Sequence, residues 1–100
     1  METFNDVISG EGIVLVDFYA VWCQPCKMMH PVLEHVKAVL GDKIRIIKID
    51  VDKHSDIAAV YGIRSVPTLM LFKRNEVLYR QSGAMSKADI LSLLEPFFMS

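Results

Sequence analysis

The sequence predicts an α/β domain with a central mixed sheet of about four strands flanked by helices. Two β-branched apolar segments are separated by a long stretch with helical periodicity, and this order is typical of a βαβ unit, whose strands run parallel. Two further strand-like segments follow with a short polar turn between them, which indicates an antiparallel hairpin. We therefore expect one sheet that contains both kinds of strand pairing.

The first half of the chain supplies the βαβ unit. Apolar residues at helical spacing predict a short helix over about residues 2–9, and the nearly continuous apolar run Ile13–Tyr19 predicts a central strand covered on both faces. The longest helix is predicted over Pro25–Leu40. Pro31 lies inside it and should kink its axis, because proline removes a backbone hydrogen bond. A second strand is predicted over Ile44–Val51.

The second half supplies the hairpin and two more helices. A short helix is predicted over Ser55–Val60, with Ser55 as its cap. The hairpin consists of strands Thr68–Phe72 and Glu76–Gln81 and the turn Lys73–Asn75. A terminal amphipathic helix follows the capping residue Ser86, and Pro96 should end or bend it early.

The composition limits the partners that the chain can have. With 100 residues and 52% hydrophobic content, residues 1–100 are expected to form a single domain with its own core. The 11 basic and 12 acidic side chains give a net charge of −1 and form no long run of either sign, which argues against nucleic acid as a partner.

Neither a signal peptide nor a membrane span is predicted. No Lys or Arg precedes Lys27, and the early apolar run Ile13–Ala20 is interrupted by Asp17. No uncharged apolar stretch reaches the roughly 20 residues that a membrane-spanning helix needs. We therefore expect a cytoplasmic protein that does not contact the membrane.

The cysteine pair Cys23 and Cys26 lies where the first strand runs into the longest helix, and the chain has no other cysteine. Residues three apart on a helix bring their Cβ atoms within about 5–6 Å, so that a small adjustment lets the sulfurs bond or separate. Pro25 suits a first helical turn, which places Cys23 at the helix N-terminus, where backbone N–H groups favour the thiolate. The pair is expected to be redox-active; the alternative is an inert buried pair.

A metal site is a second alternative for the same helix. Cys23, Cys26 and His30 would supply three ligands, whereas a closed zinc site takes four. His35 and His54 could add the fourth only through tertiary placement. We therefore expect no metal and interpret the three histidines as solvated or hydrogen-bonded side chains.

Asp17 interrupts the apolar strand that leads to the cysteines. Burial of a carboxylate is costly, so desolvation should raise its pKa and leave it able to accept and give a proton. Asp17 lies six residues before Cys23. The alternative is a carboxylate that hydrogen bonds merely satisfy.

Taken together, these motifs resemble those of the thioredoxin family, from about residue 4 to the C-terminus. The matching segments, in the family's order and spacing, are Val16–Ala20, Trp22–Lys27, Pro31, Lys48, Tyr61–Thr68 and Gly83–Ala84. This combination is far more specific than an isolated CxxC motif. It implies a thioredoxin fold.

The resemblance also implies roles for individual residues. Cys23 would attack a substrate disulfide, and Cys26 would resolve the mixed disulfide. Asp17 matches the family's buried aspartate and, from its position six residues before Cys23, would serve as general base for Cys26, with Lys48 tuning this acid. No cofactor is implied beyond the Cys23–Cys26 disulfide itself. Pro67 would be cis, with Val66 offering its backbone to an extended substrate segment. The implied substrate-binding residues are Trp22, Gln24, Pro25, Val66, Pro67, Gly83 and Ala84, and the alternative for Trp22 is a core aromatic.

The chain departs from the family pattern in three places. The family's N-terminal strand is expected to be absent, which leaves the strand Ile44–Val51 at an open sheet edge. Gln24 stands where typical thioredoxins have glycine, and it should stiffen the helix start. Ser65 and Ser82 replace residues that flank the family's substrate groove, so the family's partner preference does not transfer directly.

We therefore expect a protein disulfide reductase that takes electrons from a thioredoxin reductase and passes them to oxidised proteins. A thioredoxin-like oxidant or isomerase, and a non-catalytic binding subunit that uses the same groove, are the alternatives. We expect a monomer, with the open sheet edge as the route to a dimer.

Overall fold

The fold is a four-stranded mixed sheet with helices on both faces, in a computed structural model that describes residues 2–98. The predicted domain 1–100 also includes Met1, Met99 and Ser100, which lie outside the described residues. The helices are α1 Phe4–Ile8, α2 Gln24–Leu40, α3 Ser55–Val60 and α4 Lys87–Phe98, with a 3₁₀ turn at Gly41–Lys43. The strands are β1 Ile13–Tyr19, β2 Ile44–Asp50, β3 Thr68–Lys73 and β4 Glu76–Ser82.

The strand order in the sheet is β2-β1-β3-β4. β1 pairs with β2 in parallel, and β1 with β3 and β3 with β4 pair antiparallel, which confirms both the βαβ unit and the hairpin. β2 lies at one edge of the described sheet, as predicted. The parallel register places Asp17 directly opposite Lys48.

The two faces of β1 belong to two cores, because successive side chains of a strand point to opposite faces. Ile13 and Leu15 pack in the core beneath α2 and α4. Val14, Val16 and Phe18 pack in the core on the other face, beneath α1 and α3. Asp17 and Tyr19 continue the first of these rows, so they point toward α2, the helix that carries the cysteines.

Several element ends differ from the sequence predictions. Ser55 is the first residue of α3 and makes no capping hydrogen bond; the cap position is taken by His54. Pro96 does not end α4, which continues to Phe98. Lys73 still belongs to β3, so the hairpin turn contains only Arg74 and Asn75, both with positive φ.

Pro31 and Ser86 lie at the positions in α2 and α4 that the sequence predicted. Pro31 lies inside α2, which continues through it because the tertiary contacts of the helix outweigh the lost backbone bond. Ser86 caps α4, since its Oγ accepts a hydrogen bond from the backbone N–H of Asp89 at 3.1 Å. Among residues 2–98, no helix has the length and apolar character needed to cross a bilayer.

Candidate active site

Cys23 and Cys26 are joined by a disulfide at the N-terminus of α2, with their Cα atoms 5.3 Å apart. Cys23 is the N-cap residue, and its Sγ accepts a hydrogen bond from the backbone N–H of Cys26 at 3.2 Å. Pro25 lies in the first turn, as predicted, and Gln24 is the first helical residue and exposed. The backbone N–H of Cys26, in the first turn of the helix, is therefore directed at the sulfur of Cys23.

The two cysteines differ in access to solvent. Cys23 keeps 5% of its surface exposed, whereas Cys26 has 0%. Both pack with Ala20 and with the partly buried Tyr19 and Val66. Of the two cysteines, only Cys23 therefore has surface that solvent can reach.

Asp17 is fully buried under α2, and neither carboxyl oxygen has a hydrogen-bond partner within the described residues. No protein group within residues 2–98 therefore satisfies this carboxylate by a hydrogen bond. Burial raises the pKa of Asp17 from 3.8 to about 6, and the nearby positive charge of Lys48 opposes this rise. Lys48 itself is exposed on β2. Asp17 thus changes protonation state close to neutral pH.

The segment before β3, which contains Val66 and Pro67, lies beside the disulfide. The carbonyl oxygen of Val66 lies 3.7 Å from the Sγ of Cys23, and the Val66–Pro67 peptide bond is cis, as the resemblance implied. The backbone N–H of Gly83 donates to the carbonyl of Pro67 at 2.9 Å. Gly83 and the exposed Ala84 therefore lie beside this segment.

Trp22 is 68% exposed, so the alternative of a core aromatic is wrong. It lines a groove of about 130 Å³ beside the disulfide. The other lining residues are Val51, Ile63, Arg64, Ser65 and Val66. Together with Val21, which is also exposed, Trp22 forms an apolar surface at the mouth of the site.

Asp52 is a site residue that the sequence analysis missed. Its Oδ2 accepts a hydrogen bond from the indole Nε1–H of Trp22 at 3.0 Å. A signal for it was present, because Asp52 follows β2 as Trp22 follows β1, and parallel strands end at the same edge of a sheet.

The two serines that depart from the family pattern lie near the same loop. The Thr68 hydroxyl donates to the backbone carbonyl of Ser65 at 2.8 Å and lies 3.2 Å from the Ser82 hydroxyl. Ser82 thus joins the end of β4 to the start of β3. Both serines therefore contribute to holding the segment that ends at Pro67.

The histidines do not assemble with the cysteines. Within residues 2–98, no three His, Cys, Asp or Glu side chains are grouped so that they could hold a metal ion. His35 and His54 are exposed, in agreement with their interpretation as solvated. His30 differs from them, because its Nε2 is buried and no described residue forms a hydrogen bond with it.

Comparison with known proteins gives consistent matches. The family model for Thioredoxin matches residues 1–96. The chain is 48% identical over 95 residues to a thioredoxin-like protein of Synechocystis sp. (94% of this chain, 90% of the relative) and 45% identical over 86 residues to thioredoxin of Bacillus subtilis (86% and 83%). The solved structure of a mutant thioredoxin from Halobacterium salinarum superposes with a TM-score of 0.83 at 39% identity, covering 93% of this chain and 80% of the other.

The matches extend over nearly the whole chain and include the strand, helix and loop that surround the disulfide. The mixed sheet with a CxxC pair at a helix N-terminus is the arrangement that this likeness predicts. The chain therefore belongs to the thioredoxin family and is a thiol–disulfide oxidoreductase.

Proposed function

We propose that this oxidoreductase reduces disulfide bonds of other proteins with Cys23 as the attacking thiolate and Cys26 as the resolving thiol. The observation that carries this assignment is the asymmetry of the pair. Cys23 is the helix N-cap and the only one of the two with exposed surface, whereas Cys26 is fully buried. A nucleophile must reach its substrate, and a resolving thiol must only reach the mixed disulfide.

The proposed reaction has two exchange steps. The Cys23 thiolate attacks one sulfur of the substrate disulfide and releases the other as a thiolate, which takes a proton from solvent. Cys26 then loses its proton and attacks the Cys23 sulfur, so that the Cys23–Cys26 disulfide forms and the second substrate thiolate leaves. The substrate gains two electrons, which the two cysteines lose.

Asp17 is the proposed acceptor of the Cys26 proton. Its carboxyl lies on the sheet face that α2 covers, and its pKa of about 6 leaves it ionised but basic near neutral pH. Lys48, opposite Asp17 in the ladder, is proposed to tune this acid by favouring the carboxylate.

The proposed substrate site is the apolar surface around Cys23. An extended substrate segment would pair with the backbone of Val66 while its side chains lie against Trp22 and Ala84. The groove beside Trp22 and the position of the Val66 carbonyl, 3.7 Å from the Cys23 sulfur, support this mode. Gln24, Pro25, Pro67 and Gly83 would complete the surface.

The proposed electron donor is a thioredoxin reductase, and the proposed acceptors are oxidised proteins, as membership of the family implies. We propose that residues 1–100 act as a single domain, as a monomer, in the cytoplasm and without a cofactor. The two cores that share one sheet support the single domain. The open edge of β2 is the surface through which a dimer would form.

Trapping of mixed disulfides tests the assignment of the cysteines. We expect Cys26→Ser to accumulate a covalent complex with insulin or another protein disulfide, while Cys23→Ser forms none. Neither variant should reduce the substrate catalytically. Equal trapping by the two variants would overturn the order of attack, and retention of the biological role after replacement of both cysteines by serine would favour a binding subunit.

A further inference from the structure

His30 and Asp17 both have buried side-chain polar atoms that lack a hydrogen-bond partner within the described residues. Within residues 2–98, the buried side-chain polar atoms without a hydrogen-bond partner are the two carboxyl oxygens of Asp17 and the Nε2 of His30. Buried polar groups are normally paired, and each exception calls for an explanation. The two exceptions here lie on the two elements that carry the redox site, β1 and α2.

The geometry brings these two groups to one interface. His30 follows Cys26 by four positions on α2, so both side chains lie on the helix face that covers the sheet. The His30 ring meets the ring of Tyr19 edge-on, with centroids 5.3 Å apart. Tyr19 and Asp17 are alternate residues of β1 and point to the same face, about 7 Å apart along the strand.

Charged side chains of two elements, β2 and α2, also face this interface. Lys48 on β2 acts on both Asp17 and His30, and Glu34 on α2 acts on His30. Lys48 and Glu34 also line a cavity of about 250 Å³ between α2 and β2. Lys37, which lines the same cavity, donates to the backbone carbonyls of Gly41 and Ile44 and is therefore already engaged.

Burial disfavours the charged form of both groups. It raises the pKa of Asp17 to about 6. It lowers the pKa of His30 from its ordinary value of 6.5, Lys48 adds to this lowering, and Glu34 opposes it.

We propose that His30 is a positioning residue for Asp17: the two side chains face the same interface between α2 and the sheet, and the charge of each acts on the protonation of the other, so that they titrate as a coupled pair. This inference rests on the proposed role of Asp17 in the resolving step. When Asp17 takes the proton of Cys26, the negative charge that favours the imidazolium of His30 is lost, and His30 is only partly buried, so it can release its own proton to solvent.

An NMR titration of the oxidised protein tests the coupling, because disulfide-bonded cysteines do not titrate. We expect the carboxyl carbon of Asp17 and the ring nitrogens of His30 to follow two-step curves with shared midpoints. In His30→Gln, the Asp17 curve should become a single step and shift by about 0.5 pH unit or more. In Asp17→Asn, the His30 midpoint should fall, since a neighbouring negative charge is lost.

His35→Gln is the matched control, because His35 lies exposed on the same helix and should leave the Asp17 curve unchanged. Independent single-step curves, with midpoints that neither His30→Gln nor Asp17→Asn displaces, would overturn the proposal. That result would leave the proposed reaction intact, because the rate of the resolving step in Asp17→Asn is measured separately. If either His30→Gln or Asp17→Asn does not fold, the titration of the other variant still tests the coupling.

Discussion

Asp17 and Lys48 are direct partners in the parallel ladder between β1 and β2, yet their environments are opposite. The carboxyl is fully buried, whereas the lysine is exposed. Burial therefore outweighs the attraction of the lysine, because solvent screens the exposed ammonium charge, and the pKa of Asp17 rises to about 6.

Replacement of Asp17 by asparagine should slow the resolving step. General bases contribute typically about 10²–10⁴-fold, so we expect the decay of the mixed disulfide near neutral pH to slow by about tenfold or more, with attack by Cys23 retained. Rapid acid quench and mass spectrometry follow the mixed disulfide directly. The wild-type rate should fall as the pH drops below about 6, and the variant should lack this inflection. Equal resolving rates in both proteins would refute the role of Asp17.

The same substitution should stabilise the fold at high pH. Between pH 3.8 and about 6 the native protein binds the Asp17 proton and the unfolded chain does not, so the free energy of unfolding falls as the pH rises through this window. Above this pH window, the ionised Asp17 lowers the free energy of unfolding by a constant amount, about 3 kcal/mol for a pKa shift of roughly two units.

Denaturant unfolding at pH 8 and pH 3.5 measures this effect. We expect Asp17→Asn to be more stable than wild type by about 1–3 kcal/mol at pH 8, because asparagine is buried without a charge, and the gain should shrink at pH 3.5. Asp42→Asn, at an exposed position, should change the stability by less than about 0.5 kcal/mol at either pH. A pH-independent gain would contradict the assignment to Asp17.

Removal of the Lys48 charge should raise the pKa of Asp17 further. In Lys48→Met, we expect the inflection in the resolving rate to move above pH 6, since the positive charge that opposes the effect of burial is lost. Arg45→Met is the control on the same strand, because Arg45 points to the other face and pairs with Glu2 in an exposed ion pair. An unmoved inflection in Lys48→Met would exclude a tuning role.

The sequence predicted the fold well because its elements have strong and distinct periodicities. The apolar run of β1, the helical spacing of α2 and the β-branched β2 each indicate one structure, and their order determines the parallel pairing. The element ends were predicted less well. Whether Ser55 caps α3 and whether Pro96 ends α4 depend on local backbone geometry and tertiary contacts that periodicity does not describe.

The redox centre was predictable because spacing alone brings Cys23 and Cys26 together. The partners of Asp17 and Trp22 were harder to predict, since they come from other elements. Lys48 was named only through the family resemblance, and Asp52 was missed. The buried nitrogen of His30 depends on how deeply α2 packs on the sheet, for which the sequence has no direct signal.

Asp52 should fix the orientation of the Trp22 ring. The bond from the indole N–H is exposed, so we expect its loss in Asp52→Ala to cost about 1 kcal/mol or less, which raises the KM for a protein substrate by no more than about fivefold. The kcat for a small disulfide should not change, and the tryptophan fluorescence should. Asp56→Ala, at a nearby exposed position, is the control. An unchanged KM together with unchanged fluorescence would show that the bond does not position Trp22.

The backbone conformation at position 83 should require glycine. Its φ of 96° lies in a region that side chains disfavour, although a Cβ there would contact nothing within 4 Å. Gly83→Ala therefore tests backbone strain alone, and we expect it to lower the free energy of unfolding by about 1–2 kcal/mol. Because the Gly83 N–H donates to the carbonyl of Pro67, the KM for a protein substrate should also rise.

Gly12→Ala is the matched control for this strain, since a Cβ at Gly12 also contacts nothing and its φ is not positive. We expect this variant to match the wild type or to be more stable by up to about 1 kcal/mol, because alanine restricts the unfolded chain. Chemical denaturation of the three proteins gives the comparison. Equal losses in both variants would mean that the cost at Gly83 does not come from its backbone angle, and the link from β4 to the segment beside Cys23 would then lose its support.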